Sequence, residues 1–283
     1  MKTFVYKRAK VLRRAGSFVI DILISFCLFI LLFLFVSQPL VTEFTDYNET
    51  YEKYENRLTS SGLYANYEQS GLQPINNDYE NFLTYFFTNY DSIDTYNSLK
   101  ESSPYYTYDE LTGTYLFSGT KEEQNSFFAF AWQEANEILF KDEEVYSLYM
   151  KVESYSTLMV LPALSLSVII IFLIPSLCSK HGQSLGMKPF HLKMVSLKSG
   201  KSPQKIQIVI RFLLIFIFEY LLLFYYLGLL FLIASGVFVI VSKKRQSLFD
   251  FITQVVLIDS MANSEIDEND KIIIGVEENE DGK

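Results

Sequence analysis

Long apolar runs alternate with polar stretches along this chain, and the lengths of the runs predict its organisation. Residues 22–42 carry no charged side chain, and neither do 154–179. Residues 206–242 carry only Arg211 and Glu219. A bilayer's hydrocarbon core is about 30 Å thick, so an uncharged apolar run of about 18 residues or more can cross it as a helix. The pattern predicts a mostly α, polytopic membrane protein with about four transmembrane helices. The first span covers 17–40 and the second 157–179. As a single helix, 206–242 would be about 55 Å long, too long for one crossing. Two crossings joined by a turn at Tyr225-Tyr226-Leu227-Gly228 fit this segment as a transmembrane helical hairpin. A re-entrant hairpin, or one span plus an interfacial helix, fits it as well.

Between the first two spans the pattern changes. Tyr47, Tyr51, Tyr54 and Leu58 recur at helical spacing, as do Tyr79, Phe82, Leu83, Phe86 and Tyr90. Tyr105–Tyr108 and Thr114–Phe117, split by Asp109-Glu110-Leu111-Thr112-Gly113, read as a small β-hairpin. Residues 121–155 read as helix again, running towards the second span. The segment 41–156 is thus a helix-rich domain. It holds sixteen of the twenty tyrosines. These supply either an aromatic ligand surface or the core of a domain that must also stay soluble. After Ser260 the chain is acidic and poor in aromatics, and 260–283 is expected to be a disordered tail.

Charge orients the spans. Residues 1–16 hold six Lys/Arg and no acid, and 180–205 hold six Lys and no acid. Lys243-Lys244-Arg245 follows the last apolar run, whereas 41–156 holds 6 basic and 21 acidic residues. Lys and Arg favour cytoplasmic flanks. The expected topology is a basic cytoplasmic N-terminus (1–16), an extracytoplasmic 41–156, a basic cytoplasmic loop (180–205) and a cytoplasmic end segment (243–259). Both termini lie inside and the protein sits in the cell membrane as a multi-pass chain. The first apolar run exceeds a signal-peptide core and lacks a small-x-small site, so it is expected to stay as an anchor. Cys27 and Cys178 both fall in spans, so no disulfide framework is implied.

Several motifs fail. Gly200-Lys201-Ser202 resembles the end of a phosphate-binding loop, but Val195 stands where that motif needs Gly. Ser202-Pro203 reads better as a helix N-cap and first helical residue. Cys178 and His181 have Cys-x-x-His spacing, yet His191 is the one other His and no second Cys lies nearby, so no metal site is expected. Two histidines in one inner loop do not assemble a hydrolase triad. No enzyme, catalytic residue, organic cofactor or nucleic-acid partner is expected.

One pattern spread over the chain does hold together. Arg14 precedes Asp21 by two helical turns, so the two share a face. HGQSLGMKPFHLKMVSLKSGKSPQ follows the second span, then comes Arg211, and KKRQSLFDFITQVVLID closes the last one. With these pieces the chain resembles the bacterial RDD family of membrane proteins. The matching residues are Arg14, Asp21, Gly182, Leu185, Gly186, Lys188, Arg211, Arg245, Gln246 and Asp250. They lie within 8–40 and 157–259. Members often have His before the second Asp and a Gly-Thr pair beyond it, where this chain has Phe249 and Gln254-Val255. The 41–156 insert is larger than the family core. The resemblance implies a compact polytopic domain and, as activity, transport of small ions such as cation/proton exchange.

Asp21 and Glu219 carry the chemistry. An acid near or within a span is costly and needs a bundle-facing partner. Arg211 is the expected partner of Asp21, with Arg14 second and Asp250 taking the remaining guanidinium. Asp21 then acts either as a structural lock or as a carboxylate that exchanges a proton for a cation. Glu219 has no basic residue at its depth. It is either a proton- or cation-handling group or a neutral acid bonded to Ser165, Ser167 or a Tyr. Two functions follow. In the first, Asp21, Arg211 and Glu219 line a path for protons and monovalent cations in a homo-oligomer. In the second, the spans are a non-catalytic anchor whose 41–156 domain binds or senses a cell-envelope partner.

Overall fold

The computed structural model describes residues 2–67, 70–75, 79–222, 227–260 and 271–276. It divides into two compact units, one from 1–37 with 160–283, the other from 38–159.

The 38–159 unit is helical with two small hairpins. Its elements are α3 (Tyr47–Ser60), β2 (Tyr64–Tyr67), β3 (Gly71–Pro74), α4 (Tyr79–Asn89), α5 (Ile93–Ser102), β4 (Tyr106–Asp109), β5 (Thr114–Phe117) and α6 (Lys121–Lys141). The expected helices and the 105–117 hairpin form; β4 and β5 pair with Tyr106 opposite Phe117. The β2–β3 hairpin and α5 were not legible from periodicity. Leu58, Leu83, Phe86, Phe87, Phe127 and Phe128 make the core, with Tyr96 inside and Tyr54, Tyr64, Tyr79, Tyr90 and Tyr115 packed against it. Tyr96 stacks on Phe87 with ring centroids 5.1 Å apart. Much of the tyrosine is therefore core material. The helix expected across 121–155 breaks at Asp142. Its backbone turns extended there, and its carboxylate accepts the N–H groups of Glu144 and Val145, capping the next helix.

Apolar helices and a small sheet make the other unit; the ends of its two longest helices, 38–44 and 143–159, fall in the 38–159 unit. α1 (Val11–Leu32) continues through a π-helical turn (Phe33–Ser37) into α2 (Gln38–Phe44). α7 (Glu143–Val168) continues through a π turn (Ile169–Leu173) into α8 (Ile174–Cys178). Val11–Phe44 and Glu143–Cys178 are each long and apolar enough to cross a membrane. α9 (Lys205–Ile215) passes into a third π turn (Phe216–Tyr220), and α10 (Leu227–Val241) is a shorter apolar helix. Leu227 and Gly228 are helical rather than part of a turn; Tyr225 and Tyr226 lie outside the described residues. Helix α9 begins later than Ser202-Pro203 suggests. Gln204 is its N-cap, exchanging bonds with Gln207.

A four-stranded sheet, not legible in the hydrophobic pattern, completes the unit. β6 (Leu192–Ser196), β7 (Val255–Asp259), β1 (Lys2–Arg8) and β8 (Lys271–Val276) form four antiparallel strands in the order β6-β7-β1-β8. Met194 lies opposite Leu257, and Phe4 opposite Ile274. Leu192, Met194 and Leu257 pack with Ala9 and Met187, while Val195, Val256, Ile258, Ile272 and Ile274 form a separate cluster. The tail expected to be disordered is corrected, since Lys271–Val276 form β8, and the basic N-terminus and the 180–205 loop each supply a strand as well. Residues 261–270 and 277–283 lie outside the described residues. Apolar residues crowded into KIIIGV outweigh the acidic average of the segment around them.

Candidate functional site

Helix α1 is inverted relative to a helix of a water-soluble protein. Its buried residues are Arg14, Ser17, Asp21 and Ser25. They follow one another at three, four and four residues and so form one face. Its outward residues are apolar, with Leu23 57% and Phe26 57% exposed. Water drives the opposite arrangement, whereas lipid favours it. This polar inner stripe builds the site.

Asp250 is its centre. It is the third residue of α11 (Leu248–Ile252), where Ser247 and Asp250 exchange side-chain and backbone bonds as a capping box. That box fixes the carboxylate, which is fully buried. Arg14 Nη2 donates to its Oδ2, and Arg211 Nε donates to its Oδ1 at 2.6 Å. One carboxylate thus joins α1, α9 and α11. Burial pushes the Asp250 carboxyl up, but the charges of Arg211 and Arg14 outweigh that and hold it down at about 2. Gln246, also buried, donates from Nε2 to the carbonyl of Val255 at 2.7 Å. It ties the start of this segment to β7.

Asp21 is bound differently from expectation. Ser184 Oγ–H donates to its Oδ2 at 2.5 Å and the Gly186 N–H to its Oδ1 at 2.6 Å. Its hydrogen-bond partners among the described residues are a hydroxyl and an amide, and Arg211 pairs with Asp250 instead. The 180–191 loop reaches α1 because Gly186 has no side chain. A Cβ there would run into the backbone carbonyl of Ser17. Gly182 holds a left-handed φ of 65° that opens the same loop. Lys188 is exposed. Its carbonyl accepts the His191 N–H at 3.1 Å. Arg245 takes a left-handed φ of 49°, and its N–H bonds the Ser242 carbonyl at 2.9 Å.

Glu219 lies in the third π turn and is 8% exposed. A π turn shifts a side chain's angular position and recurs at functional sites. Its Oε2 has no hydrogen-bond partner among the described residues, and neither has Arg14 Nη1. Of the serines named for a neutral, hydrogen-bonded Glu219, Ser167 is engaged elsewhere. Ser167 Oγ bonds the Leu164 carbonyl at 2.8 Å and lies 3.3 Å from Ser25 Oγ.

Arg14, Asp21, Arg211, Glu219, Ser184 and Ser247 all line one cavity of about 470 Å³. Apolar side chains such as Phe172, Phe212, Leu232 and Phe249 complete its wall. The three residues that sequence marked as the intramembrane polar set, Asp21, Arg211 and Glu219, are thus brought together. Ser184 carries no sequence signal beyond its place at the centre of the Gly-x-x-x-Gly of 182–186. Cys178 and His181 make no metal cluster among the described residues.

Residues 127–254 match the RDD family. The RDD match holds Gly182, Gly186, Lys188, Arg211, Arg245, Gln246 and Asp250. Arg14 and Asp21 precede it, and the fold returns both to it through Asp250, Ser184 and Gly186. No curated protein and no solved structure matches the chain.

Proposed function

We propose that this is an RDD-type protein of the cell membrane that exchanges small monovalent cations for protons. The observation that carries the reading is the pair of unmet polar atoms, Glu219 Oε2 and Arg14 Nη1, on the wall of one cavity. A buried polar atom without a partner is costly unless something binds it. The charges support an exchange. The cavity holds two guanidiniums, Arg14 and Arg211. It is also bounded by the carboxyls of Asp21 and Glu219, with Asp250 bridging the guanidiniums. Three carboxylates against two guanidiniums leave one negative charge. A proton on Glu219 or a monovalent cation beside it neutralises that charge equally well. Binding one displaces the other, and this competition is the basis of antiport.

In this reading Asp250, Arg14 and Arg211 form a fixed scaffold, Asp21 holds the inner loop, and Glu219 titrates. The hairpin of 206–242 crosses twice, giving four spans with both termini inside. Four helices form a narrow bundle, so the working particle is a homo-oligomer in the bilayer. The acidic residues of 41–156 gather cations outside. The test is proton flux in proteoliposomes with an internal pH dye, challenged with Na⁺, K⁺ and Li⁺ pulses. Cation-driven flux that is lost in Glu219→Gln is the expected result. Absence of flux from folded, oriented protein overturns the proposal.

A second reading rests on the 38–159 unit, which has a hydrophobic core of its own. Under it the spans are a non-catalytic anchor and the outer domain binds a cell-envelope partner. Retention of cell-envelope material by the full-length protein, lost when 41–156 is replaced by a short linker, would favour it.

A further inference from the structure

A second cleft, of about 500 Å³, lies in the sheet rather than among the helices. It is lined by Lys7 of β1, Lys193 of β6, and Lys201, Ser202 and His181 of the flanking loops. Asp259 of β7 also lines it, but Arg13 Nη1 donates to that carboxylate at 2.6 Å and neutralises it. The lining thus keeps the charge of three ammonium groups. Two bonds shape the rim: Tyr6 O–H donates to the Gly200 carbonyl at 2.6 Å, and His181 Nδ1 lies 3.0 Å from Ser202 Oγ.

We propose that this cleft binds a phosphate group. Three lysines, a hydroxyl and an imidazole lining one cleft suit an oxyanion with several acceptor oxygens. A free cation is disfavoured there by the same charges. His181 adds a sensor. Burial, Lys193 and Lys180 push its imidazole below the usual histidine range, so it is neutral at pH 7 when the cleft lacks an anion. A bound phosphate offsets the lysines and favours imidazolium, whose Nδ1–H donates to Ser202 while Nε2–H is available to the phosphate. The phosphate could arrive on a soluble molecule or on a lipid headgroup, since the chemistry is the same.

The experiment uses the full chain in phosphatidylcholine nanodiscs. The ring resonances of His181 are titrated with pH. One arm adds inorganic phosphate against chloride at matched ionic strength; the other replaces part of the lipid with phosphatidic acid. The expected result is a rise of about one unit in the His181 midpoint, abolished in Lys201→Gln. Lys201 is exposed, so that variant keeps the fold, which its melting curve reports. A rise with free phosphate assigns a soluble ligand, and a rise only with phosphatidic acid assigns a headgroup. No rise in either arm, or an equal rise with chloride or in Lys201→Gln, overturns the proposal. None of these outcomes depends on ion exchange at Glu219.

Discussion

Arg211 Nε donates to Asp250 Oδ1 at 2.6 Å, joining α9 to a short helix 39 residues further along the chain. Arg14 takes the other oxygen of the same carboxylate. Each Arg would be expensive to bury alone, and together they share one anion. The compensation is incomplete by one positive charge, which places the pair beside the remaining acids of the cavity, Asp21 and Glu219.

Asp250→Asn should therefore be among the most destabilising single changes in the chain. It leaves two guanidiniums facing each other without an anion between them. Breaking a buried pair by removing one partner costs about 3–5 kcal/mol. The expected outcome is low membrane yield and a clearly reduced Tm in detergent. An unchanged melting curve would show that the carboxylate does not hold these helices.

The same pairing sets an acid limit. The Asp250 carboxyl is lowered from its ordinary 3.8 to about 2 in the folded protein. A carboxyl with a depressed folded value stabilises the fold fully above its unfolded value and loses that contribution as pH falls through the folded one. Stability should thus decline between about pH 4 and pH 2 on this account. Thermal unfolding of detergent-solubilised protein across that range measures it. A variant with Leu at both Arg14 and Arg211 should lose less on acidification than the parent, because its Asp250 has no guanidinium to protect.

Gly186→Ala should be damaging, and Gly236→Ala harmless. At Gly186 the new methyl meets the Ser17 carbonyl and the Asp21 carboxyl, whereas at Gly236 nothing lies within 4 Å. Overpacking of this kind costs about 1–3 kcal/mol, and the bond from the Gly186 amide to Asp21 is lost with it. In an exposed helix interior, Gly to Ala gains about 1 kcal/mol of propensity. A Tm comparison of the two variants decides the matter, and equal behaviour would rule out the close approach.

Much of this arrangement is legible in the sequence, but unevenly. Arg14 and Asp21 on one face, and the apolar runs of 22–42 and 154–179, follow from spacing and charge alone. Asp21, Arg211 and Glu219 do meet at one cavity. Their partners were not legible, because depth in a helix fixes only one coordinate. Arg211 chooses Asp250 over Asp21 through the capping box of α11, a tertiary placement. The sheet escaped notice for a similar reason. KTFVYKR and KIIIGV are 269 residues apart at their starts, and a strand this short is stabilised only by the neighbour that pairs with it. Charge counting on 1–16 also concealed the alternation of Phe4 and Tyr6, whose rings stack 6.4 Å apart.

Two substitutions at Asp21 separate the bonding seen here from the ion pair that helical depth suggests. The Asp21 carboxylate accepts from Ser184 Oγ–H and the Gly186 N–H. Asparagine can replace it with small loss. Its Oδ1 accepts the amide, and its Nδ2 donates to the Ser184 oxygen once that hydroxyl rotates. Asp21→Asn should thus cost about 1 kcal/mol. Leucine fits the volume but leaves the Ser184 hydroxyl and Gly186 amide buried without an acceptor, each worth about 1–3 kcal/mol. Asp21→Leu should lower the Tm well beyond Asp21→Asn. Were Asp21 the anion for Arg211, both variants would strip a buried guanidinium of its partner and would melt alike. Detergent melting curves of the two, with membrane abundance as a second readout, distinguish a neutral-donor cradle from a salt bridge on the wall of the cavity.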